Sequence, residues 1–332
     1  MVETGRPDQT AIEFSLVVPI CNEENNIPEL HRRVTAVMEE LAQPYELDIV
    51  DDGSKDRSIE LLRELVKQDP RVRVIRLARN FGQQQAISAG LDHARGRAVI
   101  VLDGDLQDPP EVIPQFIKMW REGFQVVYAV REKRKEHVLK RSAYHLFYLM
   151  LRGLSKVEIP LETGDFCLMD RCVVDALIAL PERNRFIRGL RSWVGFRQIG
   201  LPYERDARHA GRPKYTFRKL ASLALDGLVS FSYLPLRLAS MLGFVVSALS
   251  LLAALFYLIK RLTEGLNPPG FSTLVVLLLF LSGVQLITIG VIGEYIGHVL
   301  EEVKGRPTYV LREIIEGDRA KTGHVQQPGA PG

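Results

Sequence analysis

Residues 98–112 read AVIVLDGDLQDPPEV, a run of five apolar residues followed within six positions by Asp103, Asp105 and Asp108. Carboxylates at i and i+2 of an extended segment point to one side. A magnesium or manganese ion on a nucleotide diphosphate needs only one or two protein carboxylates, because phosphate oxygens and water complete its shell. Asp103 and Asp105 are therefore a candidate cation and diphosphate site, and Gly104 between them lets the backbone bend and a ligand come close. The competing reading is a solvated turn. Part of the stretch is structural in either case: Asp108, Pro109 and Glu111 have the form of a helix start, with a cap, a proline in the first turn and a carboxylate near the dipole's positive end.

Elements that position these residues follow from periodicity. Segments 14–20 (FSLVVPI), 46–50 (ELDIV), 72–77 (VRVIRL), 98–102 (AVIVL) and 124–130 (FQVVYAV) are short, β-branched and mostly apolar, the pattern of strands covered on both faces. Helical patterns lie between them, which predicts an α/β domain with a largely parallel sheet. In such a sheet ligands bind beyond the carboxyl ends of the strands. The residues following those ends are Cys21, Asn22 and Glu23 after the first, Asp51, Asp52, Gly53 and Ser54 after the second, Asp103, Gly104 and Asp105 after the fourth, and Arg131 after the fifth. DxD alone is a weak motif, and it gains weight from its place at the end of a buried strand beside DDGS. Asp51 and Asp52 have an alternative reading as organisers of the turn before the next helix. A nicotinamide dehydrogenase would carry GxGxxG after its first strand; PICNEEN contains no glycine, and a P-loop is also absent. Phosphate at this rim must be held by metal and side chains.

Composition adds a second region. Residues 238–259 and 271–293 carry no charge, and each is long enough to cross a hydrocarbon core of roughly 30 Å, which takes about 20 helical residues. The linker TEGLNPPG (263–270) makes them a hairpin with both flanks on one side of the membrane. Arg218, Lys219, Arg237, Lys304, Arg306 and Arg312 on those flanks favour a cytoplasmic body and tail. Segments 144–154 and 220–236 have apolar faces with basic neighbours, as helices at a lipid headgroup layer do. The N-terminus lacks an apolar export segment. Cys21, Cys167 and Cys172 have no CxxC spacing, which points to a reducing compartment without a zinc site. A net charge of +3 is too small to argue for nucleic acid. The strand-like tail RPTYVLREI offers a segment for pairing between subunits of a homo-oligomer. The expected domain order is a polar tail over 1–12, a catalytic domain over 13–215, an interfacial region over 216–236, a transmembrane hairpin over 237–297 and a cytoplasmic tail over 298–332, disordered after about 317.

PICNEEN, VDDGSKDRS and LDGDLQDPPE, in this order, resemble the N-terminal domain of family 2 glycosyltransferases of GT-A fold. The resemblance continues through RNFGQQQAISAGLDHARG, TGDFCLMDR, LPERNRFIRGLRSWVGF and PYERDARHAGRPKYTFRKL and covers roughly residues 12–310. With the hairpin, the chain looks like the bacterial polyprenyl-phosphate glycosyltransferases, relatives of dolichol-phosphate mannose synthase. The resemblance implies that Pro19, Cys21 and Glu23 contact the nucleotide, that Val50 and Asp52 hold base and ribose, and that Asp103, Gly104 and Asp105 form the metal and diphosphate site with Gln107 just beyond. It implies Mg2+ or Mn2+ as cofactor, with Asp105 the direct ligand beside Asp103. Arg131 matches a phosphate-binding arginine, Arg208 and Lys214 a basic pair that closes over the diphosphate, and Asp165 the catalytic carboxylate facing the acceptor, acting with Asp105. Three positions depart from the family's pattern. Cys21 stands where tyrosine is usual, Cys167 where arginine is common, and the strand ELDIV is one residue short.

The implied reaction is inverting transfer of a hexose from a nucleotide-diphosphate sugar, UDP-glucose first, to a polyprenyl phosphate in a bacterial inner membrane. GDP-mannose, UDP-N-acetylhexosamine or a modified pentose are alternative donors. A processive polysaccharide synthase would bring more spans and a QxxRW motif, which GLRSW (189–193) is not, and the intact Asp103, Asp105 and Asp165 argue against an inactive scaffold.

Overall fold

β1 (Phe14–Ile20) is buried at every position, and so is β2 (Tyr45–Asp51) despite its acidic residues. The acids of β2 are accommodated by pairing: Asp48 accepts from Arg73 Nε and Nη2 at 2.8 and 2.7 Å, and Ser15 donates to Glu46 at 2.6 Å. β2 thus has seven residues where ELDIV alone had looked short. The computed structural model describes residues 12–131, 163–183, 185–203, 234–264, 270–317 and 319–321. Of these, residues 12–131, 163–183, 185–203, 307–317 and 319–321 belong to one compact unit, and 234–264 and 270–306 to a second.

In the first unit β1 and β2 are followed by β3 (Val72–Leu77), β4 (Ala98–Val101), β5 (Val126–Arg131), β6 (Thr163–Asp170), β7 (Gln198–Tyr203), β8 (Leu311–Glu316) and β9 (Arg319–Lys321). Among the described residues they form one nine-stranded sheet of order β7-β5-β6-β4-β1-β2-β3-β8-β9. The centre, β4-β1-β2-β3, is parallel. β6 enters antiparallel between β4 and β5, and β8 runs antiparallel to β3. Helices α1 (Ile27–Leu41), α2 (Ser58–Gln68), α3 (Gln83–His93) and α4 (Ile113–Arg121) connect the first five strands, and α5 (Arg171–Ala179) and α6 (Ile187–Trp193) follow β6. The apolar positions of α1 that are buried, Ile27, Leu30, Val34, Val37 and Met38, recur at helical spacing and join the core under β1 and β2. α3 packs on β1 and β2, on the other core cluster.

One expectation is corrected here. Asp108 does not cap a helix: the turn Pro110–Val112 and α4 both start without a side-chain cap, and Asp108 is fully buried, accepting a hydrogen bond from the Tyr203 hydroxyl. Burial of the carboxyl next to β7 has won over the local helix signal. The tail RPTYVLREI contributes β8, which pairs with β3, with β9 outside it.

In the second unit α7 (Leu234–Glu264) and α8 (Phe271–Val303) pack against each other. Phe244, Leu251, Leu252, Leu286 and Ile289 are exposed large apolar side chains on them, which helices facing water do not present in such density. One stretch among the described residues, Phe280–Gly297, is long and apolar enough to cross a membrane. The first expected span, 238–259, lies within α7. The segments 144–154 and 220–233 lie outside the described residues.

Candidate active site

The carboxyl ends of β1, β2 and β4 meet at one rim because the three strands are parallel neighbours. β6 is antiparallel to β4, so its amino end reaches the same rim. The register Val101↔Cys167, continued by two residues, sets Asp103 across from Asp165. Gln83 joins them, its Nε2 donating to Asp103 Oδ1 at 2.8 Å and to Asp165 Oδ2 at 3.4 Å. Gln84 Nε2 donates to Asp165 Oδ2 at 3.1 Å, and Arg188 grips both oxygens, Nε to Oδ1 at 2.7 Å and Nη2 to Oδ2 at 3.1 Å.

Gln83 and Gln84 stand in the first turn of α3, and Asp52 holds that turn in place. Its oxygens accept from the amides of Phe81 and Gly82 at 2.7 and 2.9 Å. Asp52 is 3% exposed, so it ties β2 to α3 besides whatever it offers a ligand. Asp51 organises the turn, accepting from the Ser54 amide at 3.0 Å. Gly53 is required there: its φ is +68°, and an added Cβ would lie 2.6 Å from the backbone of Arg79.

The DGD turn itself is set by packing. A Cβ on Gly104 would lie 2.7 Å from Ile20 Cγ2 and 3.2 Å from the Pro19 carbonyl oxygen. Gly104 is thus needed for the turn to sit on β1. Leu106 follows with φ at +58°, an uncommon conformation for a leucine, and is buried. The Gln107 amide donates to Asp105 Oδ1 at 3.2 Å, closing the turn.

The other predicted residues are placed less uniformly. Cys21 is half-buried and accepts from Asn80 Nδ2 at 3.2 Å. Glu23 accepts from Asn26 Nδ2 at 2.6 Å at the start of α1. Pro19 and Val50 are paired in register and buried in the sheet. Arg131 ends β5 beside the amino end of β6. Arg208 and Lys214 lie outside the described residues.

Electrostatics favour a cation here. Burial, then the charges of Asp165, Asp108 and Asp105, push the Asp103 carboxyl up to about 7, against the pull of Arg188. Like charges gathered at one rim are a donor set that a divalent ion would neutralise. Among the described residues no group of three or more His, Cys, Asp or Glu side chains converges on one point. An ion carried on a diphosphate needs only one or two protein carboxylates, and Asp103 and Asp105 are the candidates.

Gln83, Gln84 and Arg188 are residues the sequence reading did not single out. Their segments were noted, but nothing in the spacing of GQQQ or IRGLR ties them to an aspartate 81 or 82, or 23, residues away.

A family model described as Glycosyl transferase family 2 matches residues 15–178, and one described as GtrB C-terminal hairpin matches residues 234–299. The uncharacterized glycosyltransferase YkcC of Bacillus subtilis (strain 168) is 48% identical over 303 residues, 91% of this chain and 94% of that one. The bactoprenol glucosyl transferase of Shigella phage SfII is 44% identical over 310 residues, 92% of this chain and 100% of that one. The chain belongs to glycosyltransferase family 2. In this glycosyltransferase the family match spans β1 to α5, the segment that contains Asp103, Asp105, Asp165 and both glutamines. The helical pair of the second unit corresponds to the hairpin match. Its sheet, parallel at the centre and mixed at the flanks, is the GT-A architecture that the motifs implied.

Proposed function

We propose that this glycosyltransferase moves a hexose from a nucleotide-diphosphate sugar to a membrane polyprenyl phosphate, with inversion at the anomeric carbon and UDP-glucose as the first-choice donor. One observation carries the reading: a rim where Asp103 and Asp105 collect charge suited to a diphosphate-bound cation, in a chain that also holds an apolar helical hairpin. The name of the phage relative, matched along its full length, supports a polyprenyl acceptor and a glucosyl donor.

Asp105, with Asp103, would hold Mg2+ or Mn2+, which supplies charge neutralisation for the leaving diphosphate. Gln83 fixes Asp103 and Asp165 relative to each other, so the site is organised before substrate arrives. The acceptor phosphate is already anionic near neutral pH, so transfer needs less help from a general base than a sugar hydroxyl would. Arg131, Arg208 and Lys214 are proposed to add positive charge around the diphosphate. The hairpin would place the enzyme in the membrane with its catalytic unit on the cytoplasmic side.

The test is turnover by purified protein in detergent with polyprenyl phosphate, Mg2+ or Mn2+, and a panel of UDP- and GDP-sugars. A glycolipid should form, most from UDP-glucose, and be lost with chelator or with Asp105→Ala. Absence of any glycolipid, or product indifferent to Asp105→Ala, overturns the reading.

A further inference from the structure

Asp165 is the carboxylate expected to act on the acceptor, yet its surroundings are those of an anchor. It is 4% exposed. Oδ1 accepts from Arg188, and Oδ2 accepts from Arg188, Gln84 and Gln83. A carboxylate offers about four acceptor sites, and four donors are directed at this one. A general base must instead reach the proton it removes at hydrogen-bond distance. The fork between Arg188 and Asp165 fixes a planar guanidinium in one orientation.

The two partners differ in access. The Arg188 side chain is 34% exposed, the Asp165 side chain 2%. What a ligand at this rim can touch is the cation. Arg188 also shares Asp165 with Gln83, which donates to Asp103 at 2.8 Å, and this links it to the candidate cation site.

We infer that Asp165 is a positioning residue and that Arg188, which it orients together with Gln83 and Gln84, is the group that binds a phosphate oxyanion at the transfer centre. This rests on the reaction proposed above. The oxyanion belongs either to the acceptor lipid or to the donor diphosphate, and the chemistry of recognition is shared. Arginine suits it because its charge is permanent and its donors form a planar fork.

The experiment is a double-mutant cycle on the full-length enzyme in detergent. Arg188→Gln, Arg188→Lys, Asp165→Asn and the Arg188→Gln/Asp165→Asn double variant are compared in kcat and KM. Affinities for UDP with Mn2+ and for polyprenyl phosphate in micelles are measured separately by calorimetry. Loss of a charge-assisted hydrogen bond to phosphate should raise one of the two dissociation constants about 10-fold to 100-fold in Arg188→Gln. Arg188→Lys, which keeps the charge and loses the fork, should fall between. A change confined to the lipid assigns the acceptor phosphate, and one confined to UDP assigns the donor; either supports the inference. Asp165→Asn should cost less than about 3-fold more once Arg188 is gone, because coupled residues are non-additive. If Asp165→Asn keeps its full cost in the Arg188→Gln background, Asp165 acts on the reaction directly and the inference fails. It fails too if both affinities are unchanged in Arg188→Gln while only the melting temperature drops. A wild-type enzyme that makes no glycolipid counts against the proposed reaction instead, and the binding arms still read the role of Arg188.

Discussion

Adding one methyl group at Gly104 should disable the site without touching a carboxylate. The Cβ of Gly104→Ala would lie 2.7 Å from Ile20 Cγ2 and 3.2 Å from the Pro19 carbonyl oxygen. Carbon atoms in ordinary contact sit about 3.5–4.0 Å apart, so relief needs roughly 1 Å of movement. β1 cannot supply it readily, because it is paired on both sides, to β2 and to β4. The movement then falls on the turn that carries Asp103 and Asp105. Overpacking of this kind costs about 1–3 kcal/mol, and misplacing reacting groups by about 1 Å costs about 100-fold in rate. Gly104→Ala should therefore lower kcat/KM by about 30-fold to 100-fold, and its melting temperature by roughly 2–12 °C for a unit of this size. Gly104→Ser should be within about threefold of Gly104→Ala, because the collision begins at Cβ. Turnover of the preferred nucleotide sugar, with melting followed in parallel, makes the comparison. Gly104→Ala retaining kcat/KM within about twofold of wild type, or a loss growing steadily with side-chain size, would refute packing on β1 as the reason for this glycine.

Three further outcomes follow from contacts outside the rim. Glu313 of β8 accepts from Arg63 Nη2 at 2.7 and 2.9 Å and from Arg76 Nη1 at 3.0 Å, and Arg76 Nε lies 3.4 Å from Asp51 Oδ2. Glu313→Ala should destabilise the catalytic unit by about 2–3 kcal/mol in a urea titration, less than a fully buried pair because Arg63 is half exposed; an unchanged midpoint contradicts this. Burial opposes ionisation of Glu313 and Asp69, but Arg76 and Arg63 on the first, and Arg71 and His31 on the second, outweigh it and hold both carboxyls low. Their stabilisation is present above the unfolded carboxylate values of about 4 and is lost as pH falls through the lower folded values. Melting temperature should thus drop below about pH 4, with a shallower drop in Glu313→Gln; equal slopes would contradict the assignment. Tyr203→Phe removes the hydroxyl that donates to buried Asp108 and should cost about 1–3 kcal/mol, read as a lower unfolding midpoint.

Local elements were readable from the chain because strand and helix each impose their own period on buried side chains. FSLVVPI and VRVIRL form strands with the bounds expected, and DGD does follow a buried strand. The local signal misled at Asp108, where cap, proline and acid agreed on a helix start and the carboxyl went instead to the Tyr203 hydroxyl on β7. In the tail LREI read correctly as strand, and only the sheet shows that it pairs with β3.

By itself, then, the sequence determined the α/β alternation, the two apolar helices and the aspartates at strand ends, since each depends on residues within a few positions of one another. Tertiary structure decided which distant residues share the rim. Asp165 meets Asp103 only because β6 runs antiparallel to β4 and delivers its amino end where the parallel strands finish. Gln83, Gln84 and Arg188 join them because α3 and α6 bring their donors to a carboxylate buried between. Strand direction and register are set by which faces can be buried together across the whole sheet, and no local period encodes that.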